Sequence, residues 1–263
     1  MRKIVRIEDV GQTFDTKNGR LAALCGITLD IHEGECIGLV GPAGCGKSTL
    51  LNLIAGLARP STGVILCNGR PVAGPAPERT LVFQNHALLP WLTCFDNVYL
   101  AVERVFGGRE GKAGLKQRTH DALARVGLAH AETRFPHEIP AGMKQRVGLA
   151  RALSMQPRIL LLDDPFAALD TPVRVDLQDE LLKILAATGT TVVMATHDVD
   201  EAVLLSDRVA MLTRGPGATL GGILEPGRGR PHDRLARTRE AAFSEARAKL
   251  SAFLENQPLR HAA

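Results

Sequence analysis

The chain has 263 residues, 45% of them apolar and 23% charged, which is enough to bury a sizeable core and too apolar for disorder to be the default. Aromatic residues make up only 4% and the net charge is +4. Single strands are gripped by stacking bases on aromatic platforms, so no nucleic-acid partner is expected. The five cysteines, Cys25, Cys36, Cys45, Cys67 and Cys94, are scattered and form no C-x-x-C pair. They read as reduced thiols, not as a disulfide framework or a zinc site.

The opening residues, Met1-Arg-Lys-Ile-Val-Arg-Ile-Glu-Asp, lack the apolar stretch of an export leader. No apolar run approaches the roughly 18–20 residues needed to cross a bilayer. A membrane role would therefore come through a partner. Ile4–Val10 and Leu24–Ile31 alternate apolar and polar residues, as an antiparallel edge layer does. Short aliphatic or β-branched runs follow at Cys36–Val40, Thr80–Gln84, Ile159–Asp163, Thr191–Ala195 and Arg208–Leu212. Such runs between helical patterns predict buried parallel strands. Leu177, Leu181 and Leu185 recur at the spacing of a crossover helix. Between about Asn85 and Ser154 the pattern turns helical, with Arg104–Leu115 read as a loop. This predicts a helical sub-domain over about 85–155, inserted in an α/β domain spanning 1–225. The remainder, 226–263, is read as a basic, mobile connection (Gly-Arg-Gly-Arg-Pro at 227–231) to a last helix near Arg239–Glu255.

Gly41, Pro42, Ala43, Gly44, Cys45, Gly46, Lys47, Ser48 and Thr49 spell G-x-x-x-x-G-K-[ST] after the first of these strands and before the helical Leu50–Leu57. In that setting glycine-rich backbone wraps phosphate oxygens, and a helix N-terminus faces the negative charge. The expected ligand is ATP with Mg2+. Lys47 would bridge the β- and γ-phosphates and the Ser48 hydroxyl would ligate the metal. Ile159-Leu-Leu-Leu-Asp163 places a carboxylate at a strand end, where Asp163 would join the metal shell.

Taken with their neighbours, these elements resemble the ABC transporter ATPases over nearly the whole chain. Gln84 stands at the place of the Q-loop glutamine, which in that family also reaches Mg2+. Ile139-Pro-Ala-Gly-Met-Lys-Gln-Arg146 occupies the place of the signature sequence. Asp163-Asp164-Pro165-Phe166 stands where D-E-P-F is usual, Ala168-Leu169-Asp170 resembles the D-loop, and His197 the switch histidine. Phe14 matches the aromatic that stacks on adenine. A narrower likeness lies in Phe83-Gln-Asn-His-Ala-Leu-Leu-Pro-Trp-Leu-Thr, Thr196-His-Asp-Val-Asp-Glu-Ala and Leu212-Thr-Arg-Gly-Pro-Gly-Ala. These are similar to the nitrate, cyanate, sulfonate and taurine import ATPases, most of all to the nitrate branch.

The resemblance implies an α/β P-loop NTPase with a mostly parallel core sheet, an N-terminal antiparallel layer and an inserted helical sub-domain. It implies Asp164, His197 and Gln84 as catalytic residues, and Pro140, Ala141 and Gly142 as the signature contact to ATP held by another chain. Its implied partners are membrane-spanning permease subunits, a second ATPase chain (in a homodimer or a heterodimer) and a solute-binding protein, at the cytoplasmic face of a bacterial inner membrane. The apolar Leu88-Leu-Pro-Trp91-Leu suits a loop that docks on the permease.

Three departures stand out. Asp164 replaces the usual glutamate and is one methylene shorter. Pro140 replaces the signature serine and offers neither hydroxyl nor N–H. Ala141 adds a Cβ where glycine lets the backbone approach phosphate. Three functions therefore compete: an import ATPase; a weakly active or inactive ATP-binding partner that regulates a second ATPase; and a non-transport ABC protein of translation or DNA repair, which the single ATPase unit and the lack of a long coiled-coil insertion disfavour.

Overall fold

The computed structural model describes residues 2–17, 19–167, 169–227, 238 and 240–257. The chain divides into two compact units, Met1–Ala76 with Leu185–Ala263, and Pro77–Ile184.

In the first unit, β1 (Lys3–Thr16) and β2 (Gly19–His32) form a long antiparallel hairpin, and β4 (Thr62–Cys67) with the short β5 (Arg70–Pro71) extends it in the order β2-β1-β4-β5. Ile27, Leu29 and Ile31 are buried at every second position, so one face of this layer belongs to the core. Register shifts between Ile7 and Val10 and between Val10 and Gln12 bend the hairpin as bulges do. A second sheet has β3 (Cys36–Val40) at its centre. β3 pairs in parallel with β8 (Thr191–Ala195) and with β9 (Arg208–Leu212), and β10 (Leu220–Leu224) closes that side antiparallel to β9. Every residue of β3 and β8 is buried, the pattern of parallel strands covered on both faces. Helices of this unit that lie wholly within the described residues include α1 (Lys47–Ala55), α6 (Val199–Leu205) and α7 (Ala241–Glu255).

In the second unit β6 (Arg79–Val82) runs parallel to β7 (Ile159–Asp163). The helices α2 (Cys94–Phe106), α3 (Lys112–Arg125) and α4 (Ala141–Ser154) pack on one another around Val98, Val102, Leu115, Leu123 and Val147. From β7 the chain enters α5 (Thr171–Thr188), which carries Leu177, Leu181 and Leu185, all buried, and leads back to the first unit. No described helix is long and apolar enough to cross a bilayer.

Two local readings are corrected, and a third is narrowed. Arg104–Leu115 is not one loop: α2 continues to Phe106 and α3 starts at Lys112. Glycines at 107, 108, 111 and 114 lower helix propensity there. Tertiary contacts override it: the Arg118 guanidinium lies 4.0 Å over the Phe106 ring and its Nε donates to Glu110 at 3.3 Å. β6 ends at Val82, so Gln84 lies two residues beyond the strand. The last helix begins at Ala241, and Arg239 is outside the described residues, as is the basic segment beyond Gly227. β4, β5 and β10 were not foreseen; glycines at 221 and 222 hide β10 from any strand propensity.

Candidate nucleotide site

The phosphate loop connects the carboxyl end of β3 to α1. Gly46 is the N-cap of α1, with φ 92°, and Gly44 has φ 75°. Both lie in the left-handed region that glycine enters without penalty. Gly46 supplies no side-chain cap to α1, and the positive end of the helix dipole, which favours an anion, faces the loop. A Cβ at Gly44 would meet nothing within 4 Å, so the loop's outer surface is open there. Ala43 and Gly44 are exposed, Pro42 and Thr49 half-buried, and Ser48 is exposed on the first turn. Lys47 Nζ donates to the carbonyls of Gly41 at 2.8 Å and Pro42 at 3.3 Å, bracing the loop it follows. Gly41 sits against the Leu212 carbonyl, 2.7 Å from where its Cβ would be. Cys45 is fully buried. Burial pushes its thiol up, against the opposing pull of Lys47, so this cysteine is a neutral packing group. The donor set thus fits a triphosphate: uncapped amides, an ammonium and a hydroxyl at one helix start.

His197 follows β8, and β8 lies beside β3 in register, with Leu39 opposite Ala195 and the Thr196 N–H donating to the Leu39 carbonyl at 3.1 Å. The exposed His197 is therefore delivered at the same end of the sheet as the phosphate loop. Its turn is fixed on both sides. Asp198 caps α6 by accepting from the Glu201 N–H at 3.0 Å, and the buried Glu201 carboxylate accepts from Thr196 Oγ1 at 2.8 Å. Phe14 is 41% exposed on the hairpin, opposite Leu21. That hairpin reaches the loop at Leu24, whose Cδ2 is 2.7 Å from the position of a Gly46 Cβ. The first unit therefore assembles the phosphate loop, His197 and the hairpin bearing Phe14.

The other predicted residues belong to the second unit. Asp163 is the last residue of β7 and half-buried. Asp164 follows with φ 49°, a left-handed conformation in which Asp is enriched among non-glycine residues. Pro140 is the N-cap of α4; its carbonyl accepts from the Lys144 N–H at 3.1 Å, and no side chain caps the helix. Ala141 opens α4 and is exposed. Gly142 faces Val173, whose Cγ1 lies 2.8 Å from where a Cβ would stand, so close packing inside this unit itself demands glycine. Of the D-loop residues, Leu169 is buried and Asp170 exposed, and Ala168 is outside the described residues.

Gln84 is exposed in a turn that the sequence reading did not fully anticipate. The turn is tied to α4: His86 Nδ1 pairs with Gln145 Oε1, and Arg151 donates to the carbonyls of Ala87 at 2.8 Å and His86 at 3.2 Å. A second tie is the buried Asn97. It accepts from the Leu89 N–H at 2.8 Å and donates to the carbonyls of Leu89, Leu92 and Thr93 at 3.1, 3.1 and 2.9 Å. That peg leaves Trp91 69% exposed. Sequence reasoning missed Asn97, Gln145 and Arg151, since each acts through a contact that no local pattern announces.

The sequence pattern of the ABC transporter family matches residues 24–167. The chain is 52% identical over 259 residues to the nitrate transport protein NasD of Klebsiella oxytoca, covering 98% of this chain and 99% of that one. It is 45% identical over 258 residues to the bicarbonate transport ATP-binding protein CmpC of a Synechocystis species, covering 98% of this chain but 38% of that longer protein. Among solved structures it is similar to a dimeric ATP-binding cassette in a post-hydrolysis state bound to ADP and Pi. The TM-score is 0.77 at 29% identity, over 84% of this chain and 98% of that one.

Proposed function

The chain belongs to the ABC transporter family as an ATP-binding, ATP-hydrolysing subunit, and we propose that it energises a bacterial importer of nitrate or a related small anion. The observation that carries the reading is the phosphate loop: an uncapped helix start behind Gly44 and Gly46, braced by Lys47. Full-length similarity to a nitrate transport protein supports the choice of solute. Bicarbonate, transported by another relative, is likewise a small planar anion, so the chemical class is shared.

In this reading the amides of Gly41–Thr49 and Lys47 hold the β- and γ-phosphates, and Phe14 contacts adenine. Ser48, Asp163 and Gln84 would hold Mg2+, which would supply charge to neutralise the phosphates. Asp164 polarises the attacking water and His197 hydrogen-bonds the γ-phosphate. Pro140, Ala141 and Gly142 face the ATP of a second ATPase chain. In the same reading the ATPase domain runs over 1–225, followed by a basic connection and C-terminal helix over 226–263. The subunit sits at the cytoplasmic face of the inner membrane beneath permease subunits, with a solute-binding protein in the same system.

We further infer that the second ATPase chain is a different, more complete one. A homodimer would set Asp164 against Pro140 and Ala141 in both composite sites. In a heterodimer the two defects separate, and each site keeps one complete half.

Trp91 is the expected anchor on the permease. An exposed tryptophan on a pinned loop loses little freedom on docking, and buried aromatic anchors carry much of an interface's energy. Trp91→Ala is expected to weaken co-purification with the permease by about tenfold or more, with Mg-ATP binding by the free chain unchanged. Undiminished co-purification of the variant would refute the docking role and with it the transporter assignment of this surface.

A further inference from the structure

α7 takes no part in the assignments above, yet it reaches the supports of both phosphate-facing segments of the first unit. Phe243, Ala246 and Leu250 recur at helical spacing and are buried, so one face of the helix is docked. Phe253 lies on β10 at Gly221, where a Cβ would come within 2.6 Å of the ring. Only glycine admits the helix this closely.

Just past the helix end, the Gln257 amide makes two bonds. Its Nε2 donates to the Phe253 carbonyl at 3.1 Å and its Oε1 accepts from the Arg214 N–H at 3.2 Å. Arg214 precedes Gly215, which packs on the phosphate loop itself. A Cβ on Gly215 would stand 3.2 Å from the Gly44 carbonyl and 3.8 Å from the Cys45 Cα. The 213–219 segment is closed at its base by Thr213 N–H to the Thr219 carbonyl at 3.0 Å and Thr219 N–H to Thr213 Oγ1 at 2.9 Å. It hangs on β2 through the Gly217 and Ala218 N–H groups, bonded to the carbonyls of Ala22 at 2.6 Å and Ala23 at 3.1 Å. With its base and its β2 side fixed, the Arg214–Gly215 tip is tied from a third side, among the described residues, by Gln257. Further along the same helix, Arg247 Nε meets Asp200 Oδ1 at 2.6 Å. Asp200 lies in the first turn of α6, directly after the His197–Asp198 turn. Both partners of that ion pair are more than half exposed, so it contributes little, and Gln257 is the principal contact.

We propose that Gln257 is a positioning residue for nucleotide: through Arg214 and Gly215 it holds the back of the phosphate loop in its binding shape. The physical reason is preorganisation. Phosphate is held by backbone amides, and amides that must first be ordered bind more weakly by the fraction of time they are out of place. The inference rests on the ATP-binding reading, and its test separates the two.

The experiment uses the full chain and measures Mg-ATP affinity, amide hydrogen exchange over residues 41–46, and Tm, for the parent, Gln257→Ala, Gln257→Glu and Lys47→Ala. Gln257→Ala is expected to raise the Mg-ATP Kd about threefold to tenfold, the effect of one lost hydrogen bond transmitted to the loop. Exchange over 41–46 should rise in the nucleotide-free chain while Tm stays at the parent value. Gln257→Glu keeps an accepting oxygen for the Arg214 N–H and is expected to recover most of the affinity. The proposal is overturned if Gln257→Ala leaves both Kd and local exchange unchanged. It is equally overturned if exchange rises throughout the chain as Tm falls, because the helix would then only support the fold. A parent that fails to bind Mg-ATP would refute the functional reading instead, and the exchange comparison would still decide whether Gln257 controls the loop.

Discussion

Lys47→Ala abolishes tight Mg-ATP binding and lowers turnover by about 100-fold or more, the scale on which one preorganised electrostatic contact acts at a reacting phosphate. Two losses combine. The ammonium no longer faces the phosphates, and the bonds from Lys47 Nζ to the Gly41 and Pro42 carbonyls, which brace the loop, disappear. The fold should survive, because Lys47 is only half-buried and the buried Leu50 and Leu51 that anchor α1 in the core are untouched. Binding of a fluorescent ATP analogue, with Tm measured alongside, checks this. A variant that binds as the parent does would remove Lys47 from the site.

The second large effect concerns Asp164. A carboxylate one methylene short is withdrawn by about 1–1.5 Å, and misplacement on that scale costs on the order of 100-fold. Basicity is not at issue, since aspartate and glutamate have similar reference pKa values. Asp164→Glu is therefore expected to raise turnover by up to about 100-fold. The backbone opposes the change slightly: Asp164 has φ 49°, and a glutamate there costs about 1–2 kcal/mol, less than the roughly 2.7 kcal/mol that a 100-fold gain represents. Reach therefore outweighs strain. Pro140→Ser combined with Ala141→Gly should add to the gain by restoring a hydroxyl and close backbone approach at the start of α4. ATP turnover is to be measured for the chain alone and with its permease. Vigorous turnover by the unaccompanied parent, unmoved by these replacements, would contradict pairing with a more complete ATPase. Turnover that stays negligible in every variant, alone or assembled, would favour the regulatory ATP-binding role.

The parts of the site that were legible in the sequence are those whose chemistry is contiguous. The phosphate-loop pattern needs eight adjacent residues, Gly41–Ser48, between a strand and a helix, and β3 and α1 flank it as expected. Asp163 was legible because four aliphatic residues precede it, and β7 is Ile159–Asp163. The parallel strands β3, β8 and β9 share that clarity, being short, apolar and buried. What failed to show was long-range. Gln84 read as a strand end, but β6 stops at Val82, and the turn is held by Gln145 and Arg151 from a helix some 60 residues later in the chain. Arg104–Leu115 read as loop because glycine content speaks locally, whereas Phe106, Glu110 and Arg118 act together only once α2 and α3 are packed. The close packing of Gly142 on Val173 was likewise hidden, because the two meet only once α4 and α5 are in place. Gln257 carries no motif at all, and its significance depends on where the Arg214 N–H lies.

The most direct measurement is solute uptake by sealed proteoliposomes holding the assembled transporter: this chain, its permease, its partner ATPase and the solute-binding protein. The account predicts nitrate accumulation that requires hydrolysable Mg-ATP on the side bearing this chain, and that collapses when this chain carries Lys47→Ala. Nitrate accumulation at the parent rate with the Lys47→Ala chain, or with a non-hydrolysable ATP analogue, would contradict it.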